Sequence, residues 1–411
     1  MNPLFVGIDV GLEKNTVQIL DVHGSSLTRF KVPNDLPGKE ELVERILATA
    51  SQVGADGVRI GMEATNLYWW HLFQALYEDP HLAALQPQIA VLNPKVIDGF
   101  KRVYTDLAKT DVLDARVIAD CLRFGRVRYS LPPDPRTAAL QRLTRFRFHQ
   151  AQSLTREKNR ALNLVFLRFS NYTNACPFAN VFGKASQAVL TGMTPDEIAQ
   201  TPLAELAELI LQHGNNRLAD APAMAKALQQ AARNAYRLHP KMQDAVQVAL
   251  AMSLDTIRFF EQQLKKLDRL IAREVQALPN TLQSIPGIGP VYSAGILAEI
   301  GDIQRFRDHN ALAKFAGLTW RQHQSGAFAA ENIPLSRSGN FYLRYYLIEA
   351  ANSVRVREPE YAAFYQRKFD EARHHHHKRA LILTARKLVR LVFALLNEGQ
   401  IYQYGRSKRW P

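Results

Sequence analysis

The chain has 411 residues, with 52 Lys and Arg against 38 Asp and Glu and a formal charge of +14, enough length for two or three domains with apolar cores. The two cysteines, Cys121 and Cys176, have no metal-ligand spacing; they exclude a thiolate metal centre and a disulfide framework and suit a reducing compartment. The start, MNPLFVGIDVG, has no basic leader or long apolar span, so a cytoplasmic protein with no signal peptide and no membrane helix is expected.

Charge is distributed unevenly. Residues 1–100 carry 7 basic and 12 acidic side chains, residues 101–170 carry 15 and 6, and residues 281–411 carry 19 and 10. An acidic head followed by two basic segments suits a polyanion held beside a metal site.

From Leu4 to Val32 three β-branched runs, LFVGIDV, TVQILDV and LTRFKV, are separated by turn residues such as Gly11, His23 and Gly24 and predict an antiparallel meander. A helical pattern from Lys39 to Ala50, a strand VRIGM, a helix around Trp69 to Tyr77 and a strand from Ile89 to Asn93 follow. Three strands and then alternating helix and strand is the order of an RNase H-like mixed sheet. The prolines of LPPDP, 131–135, mark a boundary. Beyond them Arg136 to Phe169 predicts a long helix with a basic face, a bundle or coiled-coil arm that could also contact nucleic acid or a second subunit. Residues 171–240, broken at Pro177, Gly183, Pro195 and Pro222, predict an insertion of short helices, and Met242 to Leu278 a second long helix able to pair with the first.

SIPGIGPVYSAGILAEIG, Ser284 to Gly301, is a helix-hairpin-helix pattern. Amides around Gly287 and Gly289 and the following helix start could receive a DNA phosphate without reading sequence. Downstream, Ser325, Ser336 and Ser338 lie among Arg321, Arg337 and Arg344, residue types that can attack phosphorus and neutralise its charge. His374 to His377 cannot all face one ion and predict an exposed helix start or loop.

The chemistry concentrates in four acids. Asp9 lies in a strand, Glu63 ends another, and in KTDVLDA the carboxylates of Asp111 and Asp114 share one helix face. Converging, they would make an oxygen cage suited to Mg²⁺ or Mn²⁺ and not to zinc. Paired ions of that kind can activate one oxygen and stabilise the leaving one in phosphodiester cleavage.

These words, GIDVGLEKN, GMEATNLYWW, NPKVIDGFK, KTDVLDARVIAD, SIPGIGPVYSAGILAEIGD, FAGLTWRQHQSG and SRSGNFYLRYYL, make the chain resemble the DEDD insertion-sequence transposases, which include Piv-like invertases and bridge-RNA-guided recombinases. The resemblance implies a RuvC-like domain at 1–135 with Asp9, Glu63, Asp111 and Asp114 as metal ligands. It implies a helical coiled-coil linker at 136–280 with an insertion at about 171–240, and a mainly helical transposase domain at 281–411 with Ser325 as nucleophile. It further implies donor and target DNA, a structured bridge RNA, a homodimer or homotetramer, and a nucleoid-associated enzyme of bacterial type. Trp320 stands where the family usually has proline. The residues leave other readings open: a RuvC-like structure-specific nuclease using metal-activated water, an actin-like ATPase built on GIDVG, or a non-catalytic nucleic-acid binder.

Overall fold

The computed structural model describes residues 2–102, 111–174, 178–214, 220–320, 324–325, 328–329, 335–336 and 338–403, with the backbone alone at 111–112, 324–325 and 328–329. They fall into two compact units, Met1–Pro133 and Asp134–Pro411.

In the first unit β1 (Pro3–Val10), β2 (Lys14–Leu20) and β3 (Ser26–Pro33) form the expected antiparallel meander. Helix α1 (Leu36–Val53) begins where the Asp35 carboxylate accepts from the Gly38 amide at 2.8 Å, and stops at Gly54, whose φ of 65° is the left-handed turn glycine takes most readily. Then come β4 (Gly57–Glu63), α2 (Trp69–Tyr77), β5 (Gln88–Leu92), α3 (Pro94–Lys101) and α4 (Asp111–Phe124). The sheet order is β3-β2-β1-β4-β5, with β4 parallel to β1 and β5 parallel to β4. This is an RNase H-like mixed sheet.

Alternation along β1 divides the unit into two layers. Leu4, Val6 and Ile8 join Leu42 and Ile46 of α1 and Leu72, Phe73 and Leu76 of α2 in one core. Phe5 points the other way, into a smaller core with Ile97 of α3 and Val117, Ile118 and Leu122 of α4. Gly7 and Asp9 therefore share the α4 side with Phe5.

The second unit begins with α5 (Pro135–Arg168) and returns along α10 (Pro240–Val275). Arg147 bonds Asp268, Lys158 bonds Glu261 and Arg168 bonds Gln247, so the two helices run antiparallel. Between them α6 (Lys184–Gly192), α7 (Pro195–Gln200), α8 (Leu203–His213) and α9 (Ala221–Arg233) close a core over the far end of the pair with Val165, Phe169 and Leu254. Two breaks read from the sequence here prove to be starts, since Pro195 and Pro222 occupy the first turns of α7 and α9, where a missing amide proton costs no bond.

The last part packs α11 (Pro290–Ile300), α12 (His309–Ala316), α13 (Phe341–Arg357), α14 (Pro359–Asp370) and α15 (His376–Glu398) around Ile296, Leu312, Tyr346 and Leu388, with a two-residue ribbon of β6 (Gln324–Ser325) and β7 (Phe328–Ala329) between α12 and α13. The histidine run stands at the start of α15, as expected for it. Among the described residues no helix is long and apolar enough to cross a membrane.

Candidate active site

Two glycines set the first half of the site. Gly7 of β1 pairs with Gly61 of β4, and α4 lies on the flat that they leave. A β-carbon on Gly7 would stand 2.0 Å from the Ala115 carbonyl oxygen, so only hydrogen fits there, and one on Gly61 would stand 2.9 Å from Ile118 and Leu122, whose side chains would have to shift. Two residues further along each strand, on the same face, come Asp9 and Glu63. They stand one step beyond the last paired residues, Ile8 and Met62, on strands about 4.8 Å apart.

Asp114 lies one residue before the Ala115 that covers Gly7, in the first turns of α4. Its Oδ1 is 2.9 Å from Nζ of Lys101, the last residue of α3, and both side chains are largely withdrawn from solvent, at 23% exposed for Lys101 and 20% for Asp114. Burial acts to lower the Lys101 pKa, but Asp114, Glu63 and Asp98 outweigh it and hold the ammonium above its ordinary value. One ammonium thus sits in the field of both a sheet acid and a helix acid. Glu63 also accepts from the Thr65 hydroxyl at 3.2 Å.

Asp9, Glu63 and Asp114 are therefore gathered on one side of the sheet, whereas the Asp111 side chain lies outside the described residues. Among the described residues no three Asp, Glu, His or Cys side chains already form a metal cluster. The donors nonetheless fit a hard divalent ion: all are carboxylate oxygens, and a lysine ammonium already stands against one of them, Asp114, as counter-charge. Lys101 was missed from the sequence, because nothing in the spacing of Lys101 and Asp114 signals contact.

In the second unit Ser325 belongs to β6, its backbone paired with Phe328 across the ribbon, while Arg321 and Arg337 lie outside the described residues. The stems of this segment are fixed. Trp320 bridges to Leu335, the Ser336 amide donates to the Thr319 carbonyl at 2.8 Å, and the Asn340 amide to that of Phe315 at 2.6 Å. Gly317 and Gly339 both have positive φ, at 69° and 135°, and are closed in by the Arg344 guanidinium and the Phe315 carbonyl. Arg344, expected to meet nucleic acid, packs its guanidinium beside this turn. Ser336 and Ser338 bond each other through their hydroxyls at 2.6 Å.

Beneath lies a polar knot also absent from the sequence reading. Glu299 of α11, its side chain fully buried, accepts two bonds from Arg145 of α5 at 2.7 and 2.8 Å, one from Asn340 at 2.6 Å and one from Gln141 at 3.4 Å. Asn340 caps α13, so the knot ties the base of α5, the hairpin helix and the downstream stem of the serine segment.

At the hairpin the first limb is a single 3-10 turn, Leu282–Ser284, and not a full helix. Gly287, at φ 99°, lets the backbone meet that of Ser353, and Gly289 starts α11 without a side-chain cap. An open groove of about 480 Å³ runs past Gly287, Gly289, Tyr292, Ser353 and Arg357, so the first amides of α11 border an accessible channel.

A family model described as "Transposase", for the DEDD group of IS110, matches residues 6–169, and one described as "Transposase IS116/IS110/IS902 family" matches residues 280–366. The chain is 25% identical to the insertion element IS116 uncharacterized 44.8 kDa protein of Streptomyces clavuligerus, over 97% of this chain and 96% of that one. It is 27% identical to the mini-circle putative transposase for IS117 of Streptomyces coelicolor, over 82% of each. It is also 30% identical to the pilin gene-inverting protein of Moraxella bovis, over 36% of this chain and 47% of that one. Among solved structures it is similar to T. thermophilus RuvC in complex with a Holliday junction substrate, at 16% identity and a TM-score of 0.24, covering 31% of this chain and 99% of that one.

Proposed function

Because the chain belongs to the IS116/IS110/IS902 family of insertion-sequence transposases, we propose that it cuts and rejoins DNA through a serine–phosphate ester at Ser325, with Asp9, Glu63, Asp111 and Asp114 as the metal-binding half of the site. The observation that carries this is the paired-glycine flat, which seats α4 against β1 and β4 and gathers Asp9, Glu63 and Asp114 on one face.

In the proposed step the Ser325 oxygen attacks phosphorus, the bond from phosphorus to the 3′ oxygen breaks, and the serine proton ends on the departing 3′ hydroxyl. The 5′ phosphate remains esterified to serine, so the bond energy is kept and a second 3′ hydroxyl can reverse the step with another strand, without ATP. The carboxylates would hold Mg²⁺ or Mn²⁺, whose chemistry when bound is to neutralise the charge that gathers on the phosphoryl oxygens. The chain's own groups do the rest. The stems at Thr319 and Phe315 orient the serine segment, and the amides at Gly289 offer a sequence-independent phosphate contact.

By resemblance to the family, the acids and the serine are proposed as halves of one composite site completed by another subunit, in a homodimer or homotetramer that assembles before cutting. Donor and target DNA are the substrates, and a structured bridge RNA is the proposed source of sequence choice, by base pairing. The test is to trap a cut, end-labelled DNA with the purified chain and divalent metal. Wild type should yield a denaturation-resistant protein–DNA adduct mapping to Ser325, absent in Ser325→Ala and Asp9→Asn. Cutting that persists in Ser325→Ala with no adduct would replace this reading by a nuclease using water.

A further inference from the structure

We propose that Lys101 is an internal cation of the acidic centre: it holds the place of the divalent ion in the metal-free chain and withdraws when the ion binds. The proposal rests on the metal-binding reading of Asp9, Glu63, Asp111 and Asp114, and adds to it a residue outside that set.

Three observations support it. The ammonium lies 2.9 Å from Asp114 and both side chains are largely withdrawn from solvent, which makes it a specific partner and not a surface pair. Its neighbours are acids from different elements: Asp114 from α4, Glu63 from β4 and Asp98 from its own helix. The stem carrying it is held in place. The Asn93 side chain caps α3, accepting from the Lys95 amide at 2.9 Å, and Phe100 packs on Phe124 of α4 at 5.9 Å between ring centres. Beyond that stem runs a four-carbon chain that can swing without backbone movement.

A divalent ion bound by Asp114 competes with the ammonium for the same carboxylate, and two positive charges repel at that range. The exchange has a ready acceptor: Asp98, exposed and one helical turn back, stands three residues from Lys101 on the same helix. The exchange is one of position. It lets the carboxylates be packed together before metal arrives, and it weakens metal affinity in return.

The test titrates Mn²⁺ into the full chain by calorimetry, for wild type, Lys101→Met and Lys101→Arg, with Asp9→Asn to identify the site. Lys101→Met should bind Mn²⁺ at least about tenfold more tightly, the scale on which neighbouring groups tune metal sites. It should also melt lower than wild type without metal and recover with it, while Lys101→Arg stays near wild type. Unchanged or weaker Mn²⁺ affinity in Lys101→Met overturns the proposal and leaves the metal reading standing. Absence of any Mn²⁺ binding that Asp9→Asn removes overturns both. Should Lys101→Met unfold without metal, refolding on Mn²⁺ addition supports the exchange, and failure to refold overturns it.

Discussion

Glu299 receives both arms of the Arg145 guanidinium across 154 residues of sequence, and its side chain has no contact with solvent. Removing the guanidinium strands a buried carboxylate with only its amide donors. Arg145→Leu should cost the second unit about 3 kcal/mol in urea unfolding, and pairing it with Glu299→Leu should restore part of the loss, since an apolar pair avoids the stranded charge. Equal losses in the single and double variants would show that the loss does not come from a stranded charge, and no loss in the single variant would show the knot to be dispensable.

Gly7 has no room for a side chain, since an added β-carbon would stand 2.0 Å from the Ala115 carbonyl oxygen. Gly7→Ala should push α4 off the sheet, at a cost of about 2 kcal/mol or more, and reduce metal binding together with stability. Gly99, whose added β-carbon would meet nothing within 4 Å, is the control, and Gly99→Ala, inside α3, should leave metal binding unchanged and stability no lower.

Acid should weaken the first unit through Asp79. Burial works to raise the pKa of this carboxyl, but the Lys39 ammonium at 3.0 Å and the amides of His81 and Leu82 together hold it below its ordinary value. A depressed carboxyl contributes stability above its unfolded pKa of about 3.9, and that contribution is lost as the pH falls through the folded value. Asp79→Asn should therefore be less stable than wild type at pH 7, with the gap closing below about pH 4 in thermal melts.

Binding to DNA should be steeply salt-dependent. If six to ten phosphates are contacted, affinity should drop by roughly 10³–10⁵ between 50 and 200 mM salt, measured by fluorescence anisotropy on a labelled duplex. A flat response would rule out the basic segments as the DNA-binding surface.

The sheet order was legible because alternating β-branched runs and turn residues report directly on a two-layer strand, and α2 occupies the stretch from Trp69 to Tyr77 that the apolar pattern marks. Strand positions for Asp9 and Glu63 and a helical position for Asp114 were legible from the same periodicities, and the structure has them there. Lys101 and Glu299 were not, for a common reason. Each is defined by a partner that folding brings from another element, Asp114 on α4 or Arg145 on α5, and neither periodicity nor local spacing encodes such a meeting. The hairpin glycines fell between these cases. The word PGIGP marked the turn, but the chain before it winds into a single 3-10 turn, Leu282–Ser284, and not a helix.

The paired long helices have one last consequence. At 34 residues α5 measures about 50 Å, the length of some fifteen stacked base pairs. Ion pairs such as Arg147 with Asp268 and Lys158 with Glu261 keep α5 and α10 from sliding, so together they form a spacer of fixed length. One added heptad in each would move the small-helix bundle about 10 Å from the Glu299 end, which makes this segment a ruler for whatever the two ends grip.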